Sequence, residues 1–159
     1  MRRILTLLAV LAMVMAVPIA ANAQYESFEV DIHSEGSLVG QDANGCDLSE
    51  GVFAVEAGGV IVETGVASFT SCANADASLV RYTITYTDDS TGNVVVTVGR
   101  AILIAFDPDA GVFTYSTKER IVSSTEGLVG NAVGTVDVTL TASGFDLAGT
   151  NHWRLFEGS

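Results

Sequence analysis

Proline is nearly missing from this chain. Two occur in 159 residues, and after Pro18 the only one is Pro108. Long stretches are therefore free of the residue that interrupts a sheet ladder. Cysteine is equally scarce, with Cys46 and Cys72 alone. Neither a C-x-x-C redox pair nor a cluster of close-spaced thiolate and imidazole metal ligands can be built from them. Basic residues are few, seven Lys and Arg against nineteen Asp and Glu, for a net charge of −12. Nucleic acid and anionic membrane surfaces are poor partners for such a chain. Aromatic residues make up 8%, too few for the two girdles of an outer-membrane barrel. No G-x-S-x-G, His-Glu-x-x-His or phosphate-binding glycine loop occurs. His33 and His152 both fall opposite the apolar side of their segments and are expected to face solvent.

The chain opens MRRILTLLAVLAMVMAVPIAANAQ. Arg2 and Arg3 precede an apolar run, Ile4 to Val17, and Ala21-Asn22-Ala23 is a small-x-small cleavage signal. Residues 1–23 read as a secretory signal peptide cleaved after Ala23. The run is shorter than the roughly 20 residues of a membrane span. Residues 24–159 then form the mature chain, with an expected charge of 5 minus 19, or −14. Its expected location is the periplasm or the extracellular medium, with no membrane insertion after cleavage.

What remains is rich in Val, Thr, Ile, Phe and Tyr recurring with a period of two. Gly, Asn and Asp clusters break these runs, and no helical pattern stands out. That is the signature of antiparallel β-structure. Expected strands are 25–33, 52–57, 60–69, 78–87, 94–106, 112–122, 128–141 and 151–156. No linker divides them, so one all-β domain is predicted. Its architecture is an antiparallel up-and-down β-barrel of about eight strands, with a two-sheet β-sandwich as the alternative.

Gly58-Gly59 suits a two-residue hairpin turn. Uninterrupted pairing across it places Cys46 opposite Ser71, one position short of Cys72. A single bulge at Gly51 or Gly65 would bring the cysteines face to face. A disulfide is therefore expected, contributing about 3 kcal/mol.

The segments 94–106 and 112–122 suggest a site. Val94, Val96, Val98, Ile102, Ile104 and Phe106 share a face, and Arg100 falls on it. Matching apolar faces across the Pro108 turn sets Phe106 against Phe113, Ile104 against Tyr115, and Arg100 against Glu119. An ion pair inside an apolar barrel is the expectation, with Tyr82 and Tyr115 nearby. Arg100, Glu119, Tyr82 and Tyr115 are the candidate ligand-binding residues, because small-molecule sites combine apolar walls with a few polar groups. Lys118 and Arg120 should face away, to the surface.

The acidic turns offer a second candidate. Asp42 and Asn44 lie in one, Asp88 and Asp89 in another, and both suggest Ca²⁺ ligands. Asp and Asn are also common turn formers. No cofactor is implied.

The strand order, with glycine-rich hairpins and a polar residue inside an apolar barrel, resembles the calycin-type barrels. Lipocalins and the allene oxide cyclase or dirigent group are examples. The resemblance covers architecture and carries over no site residue.

Three function classes follow. The chain is an exported protein binding a small apolar ligand or a surface partner. Alternatively it is a structural or cell-surface protein with a filled core and acidic loops. A barrel-type isomerase or cyclase is the third reading. No activated nucleophile or acid–base pair is visible, so the sequence leans away from an enzyme.

Overall fold

The computed structural model describes residues 25–157. The signal-peptide reading of residues 1–23 lies outside them. Eight strands follow one another: β1 (Tyr25–Gln41), β2 (Asp47–Ala57), β3 (Val60–Ala73), β4 (Leu79–Asp88), β5 (Val94–Asp107), β6 (Val112–Ser124), β7 (Leu128–Leu140) and β8 (Gly144–Glu157). Each pairs antiparallel with the next, and β1 pairs with β8 to close a barrel. Closure decides against the sandwich. It leaves no edge strand with unpaired backbone groups.

The barrel has two ends. The β1–β2, β3–β4, β5–β6 and β7–β8 turns crowd one, together with the Cys46–Cys72 disulfide. The β2–β3, β4–β5 and β6–β7 turns lie at the other.

β1 and β8 run well past their expected limits of 25–33 and 151–156. The added halves pair with each other, Ser34 opposite Leu147 and Gly36 opposite Phe145. They lack alternating large apolar residues because one strand supplies space and the other fills it. A Cβ on Gly36 would come within 2.6 Å of the Phe145 ring.

Gly58 and Gly59 form the β2–β3 turn with φ of +59° and +81°, the region only glycine enters at no steric cost. The bulge that brings the cysteines together is present, at Val62 rather than at Gly51 or Gly65. Glu56 pairs with Ile61 and Val55 with Glu63, so Val62 is left over. Asp47 then lies opposite Ser71, and Cys46 and Cys72 meet with Cα atoms 4.5 Å apart. The same bulge turns Glu63 inward in place of Val62.

A second bulge changes the β5–β6 register. Phe106 does pair with Phe113, and their rings stack at 4.5 Å. Ala105 then pairs with Thr114 and Leu103 with Tyr115, leaving Ile104 unpaired. The pairings from Leu103 to Thr97 are displaced by one, until Val122 is left over in turn and Val96 pairs with Ser123. Ala101 meets Thr117, Gly99 meets Glu119, and Arg100 meets Lys118. A one-residue slip moves a side chain to the other face of a sheet. The inward residues of β5 are therefore Thr97, Gly99, Ala101 and Leu103. Ile102, Ile104 and Phe106 are 45%, 58% and 50% exposed, and Arg100 is exposed beside them. The expected Arg100–Glu119 pair does not form.

Inside the barrel, Phe53, Ala67 and Ile84 make one apolar cluster and Ala101, Tyr115 and Val136 another; Tyr82 packs on both. Eight strands enclose a space that side chains can nearly fill. Large residues accordingly lie over glycines of the neighbouring strand.

Candidate functional site

The barrel interior holds one deeply buried carboxyl group. Glu119 is 7% exposed. It points inward from the middle of β6 because Thr117 and Ile121, two residues to either side, are buried too. Its cross-strand neighbours are Gly99 on β5 and Ala132 on β7. Both lack bulk, so the carboxyl group has room.

Asn151 on β8 holds one side of it. The Asn151 Nδ2 donates to Glu119 Oε1 at 3.0 Å, and Thr117 Oγ1 donates to Asn151 Oδ1 at 3.4 Å. This amide lies across β7 at Gly134, where any Cβ would collide with it. Gly134 is thus what lets Asn151 reach β6. Glu119 Oε2 is buried and has no hydrogen-bond partner among the described residues; the same holds for the hydroxyl of Thr97.

Burial pushes the Glu119 carboxyl up to about 7, with the nearby Thr97 hydroxyl pulling the other way. Desolvation penalises the charged form, and no cation compensates. The phenol of Tyr82 is raised by burial and by the charge on Glu119. Tyr86 is raised by burial, and by Glu119, Tyr82 and Glu63. Tyr82 lies flat across Gly99, its hydroxyl oxygen 2.6 Å from where a Cβ would stand. Gly99 therefore admits both Tyr82 from β4 and Glu119 from β6.

Of the four expected ligand-binding residues, the fold brings Glu119 and Tyr82 together. Tyr115 lines the same interior nearer the disulfide end. Its hydroxyl donates to the Ala77 carbonyl at 3.2 Å, which ties the β3–β4 turn over that end. Leu103 N donates to Ser78 O at 2.9 Å and fastens the same turn. Arg100 is outside. The interior residues missed from the sequence are Asn151 and Thr97. Asn151 lies between His152 and the small residues Gly149 and Thr150, with no apolar alternation to mark its face. Thr97 lies on the face of β5 opposite the one expected to turn inward.

A second inward-facing acid, the half-buried Glu63, sits toward the opposite end. Burial raises it, and the charges of Asp88 and Glu126 raise it further.

The expected calcium ligands are occupied within their own turns. Asp42 Oδ1 accepts from the backbone of Asn44 and Cys46 at 2.8 and 2.9 Å. These bonds hold Asp42 below its ordinary value. Asp88 Oδ1 accepts from Ser90 and Thr91, backbone and hydroxyl alike. Asp89 is exposed beside it. Among the described residues no three His, Cys, Asp or Glu side chains converge on a metal position. No helix there is long and apolar enough to cross a membrane.

Two shallow grooves mark the outer wall. One of about 290 Å³ runs over β1 and β2 at Gly36 and Gly51; another of about 440 Å³ runs over β1, β7 and β8 beside His33, Asp137 and Ala148.

No family model matches the chain, and no curated protein matches it. Among solved structures it is similar to a pterocarpan synthase dirigent protein. The two superpose with a TM-score of 0.48 at 13% sequence identity, over 90% of this chain and 98% of that one.

Proposed function

We propose that the barrel binds a small, mainly apolar molecule that presents a hydrogen-bond donor to Glu119. One observation carries this reading: Glu119 Oε2 is buried with no hydrogen-bond partner among the described residues, the Thr97 hydroxyl nearby being itself unpartnered, while Asn151 fixes the other oxygen. Buried polar groups are nearly always satisfied, and an orphan calls for an explanation. A ligand donor would supply the missing bond. Tyr82 and Tyr86, coupled to Glu119, and Phe53 and Ile84 packed with them suit an apolar body. Small-molecule sites have this composition.

A carboxyl group that titrates near neutrality lies in the range of a general acid or base. Glu119 has no nucleophile or second titratable group hydrogen-bonded to it among the described residues. We therefore read it as a binding group, not a catalytic one. The protein acts outside the cytoplasm; the Cys46–Cys72 disulfide and the leader-like N-terminus support this.

A second reading, a structural protein with a filled core, has its own support. Phe145 lies over Gly36, Phe53 over Gly65 and Tyr82 over Gly99, so large side chains take up much of the interior.

Titration with N-phenylnaphthylamine, an apolar fluorophore with one N–H donor, separates the two. Saturable fluorescence that is lost in Glu119→Leu and kept in Glu119→Gln supports the ligand site, because glutamine retains an acceptor. Absence of binding to the parent protein, with a clean apo mass for material purified from its own host, would leave the filled-core reading.

A further inference from the structure

Five Lys and Arg residues lie within the described chain, and four of them share one patch. The displaced β5–β6 register creates it. Arg81 pairs with Arg100, and Arg100 pairs with Lys118, in a straight row across β4, β5 and β6. Arg120 stands two residues further along β6. All four are exposed. Adjacent strands lie about 4.8 Å apart, so the row spans about 10 Å. Like charges directly opposite one another destabilise a sheet. No carboxylate offsets them, since the one ion pair among the described residues is His152–Glu29.

The opposite wall carries two like-charge pairs of the other sign. On β1, Asp31 pairs with Glu56 of β2, and Glu35 pairs with Asp146 of β8. β1 and β5 stand half-way round the ring from each other. Exposed apolar residues accompany both rows. Ile102 follows Arg100 on β5, and Val133 lies opposite Lys118 on β7, while Val52 lies opposite Glu35. Apolar contact enclosed by charge is how stable interfaces are built.

We propose that this surface binds a second copy of the chain: the acidic β8–β1–β2 wall of one molecule docks on the basic β4–β6 wall of the next. Like charges crowded on each wall then face the opposite sign. The net charge of −12 opposes association at long range. At physiological ionic strength that repulsion is screened beyond about 8 Å, whereas wall-to-wall pairs in contact keep their attraction. Because the two walls are different surfaces on opposite sides, the contact is head-to-tail and does not close. It builds a row of barrels.

Sedimentation velocity of the full mature chain tests this. At about 0.15 M salt, species larger than a monomer should grow with concentration, and about 1 M salt should return them to monomer. Arg100→Glu with Lys118→Glu makes both walls acidic; Asp31→Lys with Glu35→Lys makes the other wall basic. Each variant alone should sediment as a monomer, and their mixture should associate. All four substituted positions are exposed, so near-ultraviolet circular dichroism should match the parent. A parent that stays monomeric at about 0.15 M salt, with a silent mixture, overturns the proposal. So does association that ignores both salt and charge reversal, which would place the contact on another face. A monomeric parent retained by a sulfated polysaccharide through Arg100 would reassign the row to a foreign polyanion.

Discussion

Gly99, and not Arg100, lies opposite Glu119 across the β5–β6 ladder. The spare residue Ile104 causes this. It leaves a carboxyl group inside the barrel without a cation and sends a guanidinium to the outer wall. Both the interior site and the basic row follow from one bulge.

Gly99→Ala should destabilise the protein by about 1–3 kcal/mol, the usual cost of overpacking a filled interior. The added methyl would collide with the Tyr82 ring. Tyr82→Leu in the same background should recover part of the loss. Urea midpoints of the two variants check this, and an unchanged midpoint for Gly99→Ala would show that Tyr82 does not lie there.

Stability should fall as pH rises through neutrality. The Glu119 carboxyl titrates at about 7 in the folded chain against an ordinary 4.5. Between those values the folded state holds more protons than the unfolded one. The folded state is therefore favoured at low pH, and the advantage is lost as pH approaches 7. At about 1.4 kcal/mol per pH unit the difference amounts to about 3 kcal/mol. Glu63 is raised as well and adds to the same trend. Glu119→Gln should be more stable than the parent at about pH 8 and should lose that lead by about pH 4. Urea unfolding across this range reads it directly.

Tyr115→Phe should cost about 1 kcal/mol, the net worth of an ordinary hydrogen bond. The loss should appear locally. Amide exchange in the β3–β4 turn should quicken, because the Tyr115 hydroxyl no longer holds the Ala77 carbonyl. Unchanged exchange at Ala77 and Ser78 would remove Tyr115 as the fastening of that end.

Removing the disulfide, by Cys46→Ser with Cys72→Ser, should lower stability by about 3 kcal/mol for a loop of this length. The two residues are 26 positions apart. The barrel should still close, since hydrogen-bonded ladders join all eight strands into a ring. Thermal melts of the variant and the parent measure the difference.

The sequence determined an all-β domain of about eight antiparallel strands, and the closed ladder chose the barrel over the sandwich. Period-two patterning of β-branched and aromatic residues between glycine and Asx turns has few solutions, and closure suits a chain whose strands all find a neighbour. It also determined the disulfide, through a Gly-Gly turn and a spacing one residue from register. The inward row Val80, Tyr82, Ile84 and Tyr86 was legible for the same reason: polar threonines and Arg81 alternate with it. Only the tertiary structure decided the face of β5. That strand is apolar on both sides, Val94-Val95-Val96 and Ala101-Ile102-Leu103-Ile104 alike, so alternation could not choose. Residue size pointed the wrong way. The larger side chains went outward because Tyr82, Tyr115 and Glu119 from adjacent strands already filled the space that Gly99 and Ala101 face. Bulges at Val62 and Ile104 add no mark to the sequence, because one extra valine or isoleucine in an apolar strand looks like all the others. Yet those two residues set which acids turn inward, Glu63 and Glu119, and which cations are left in solvent.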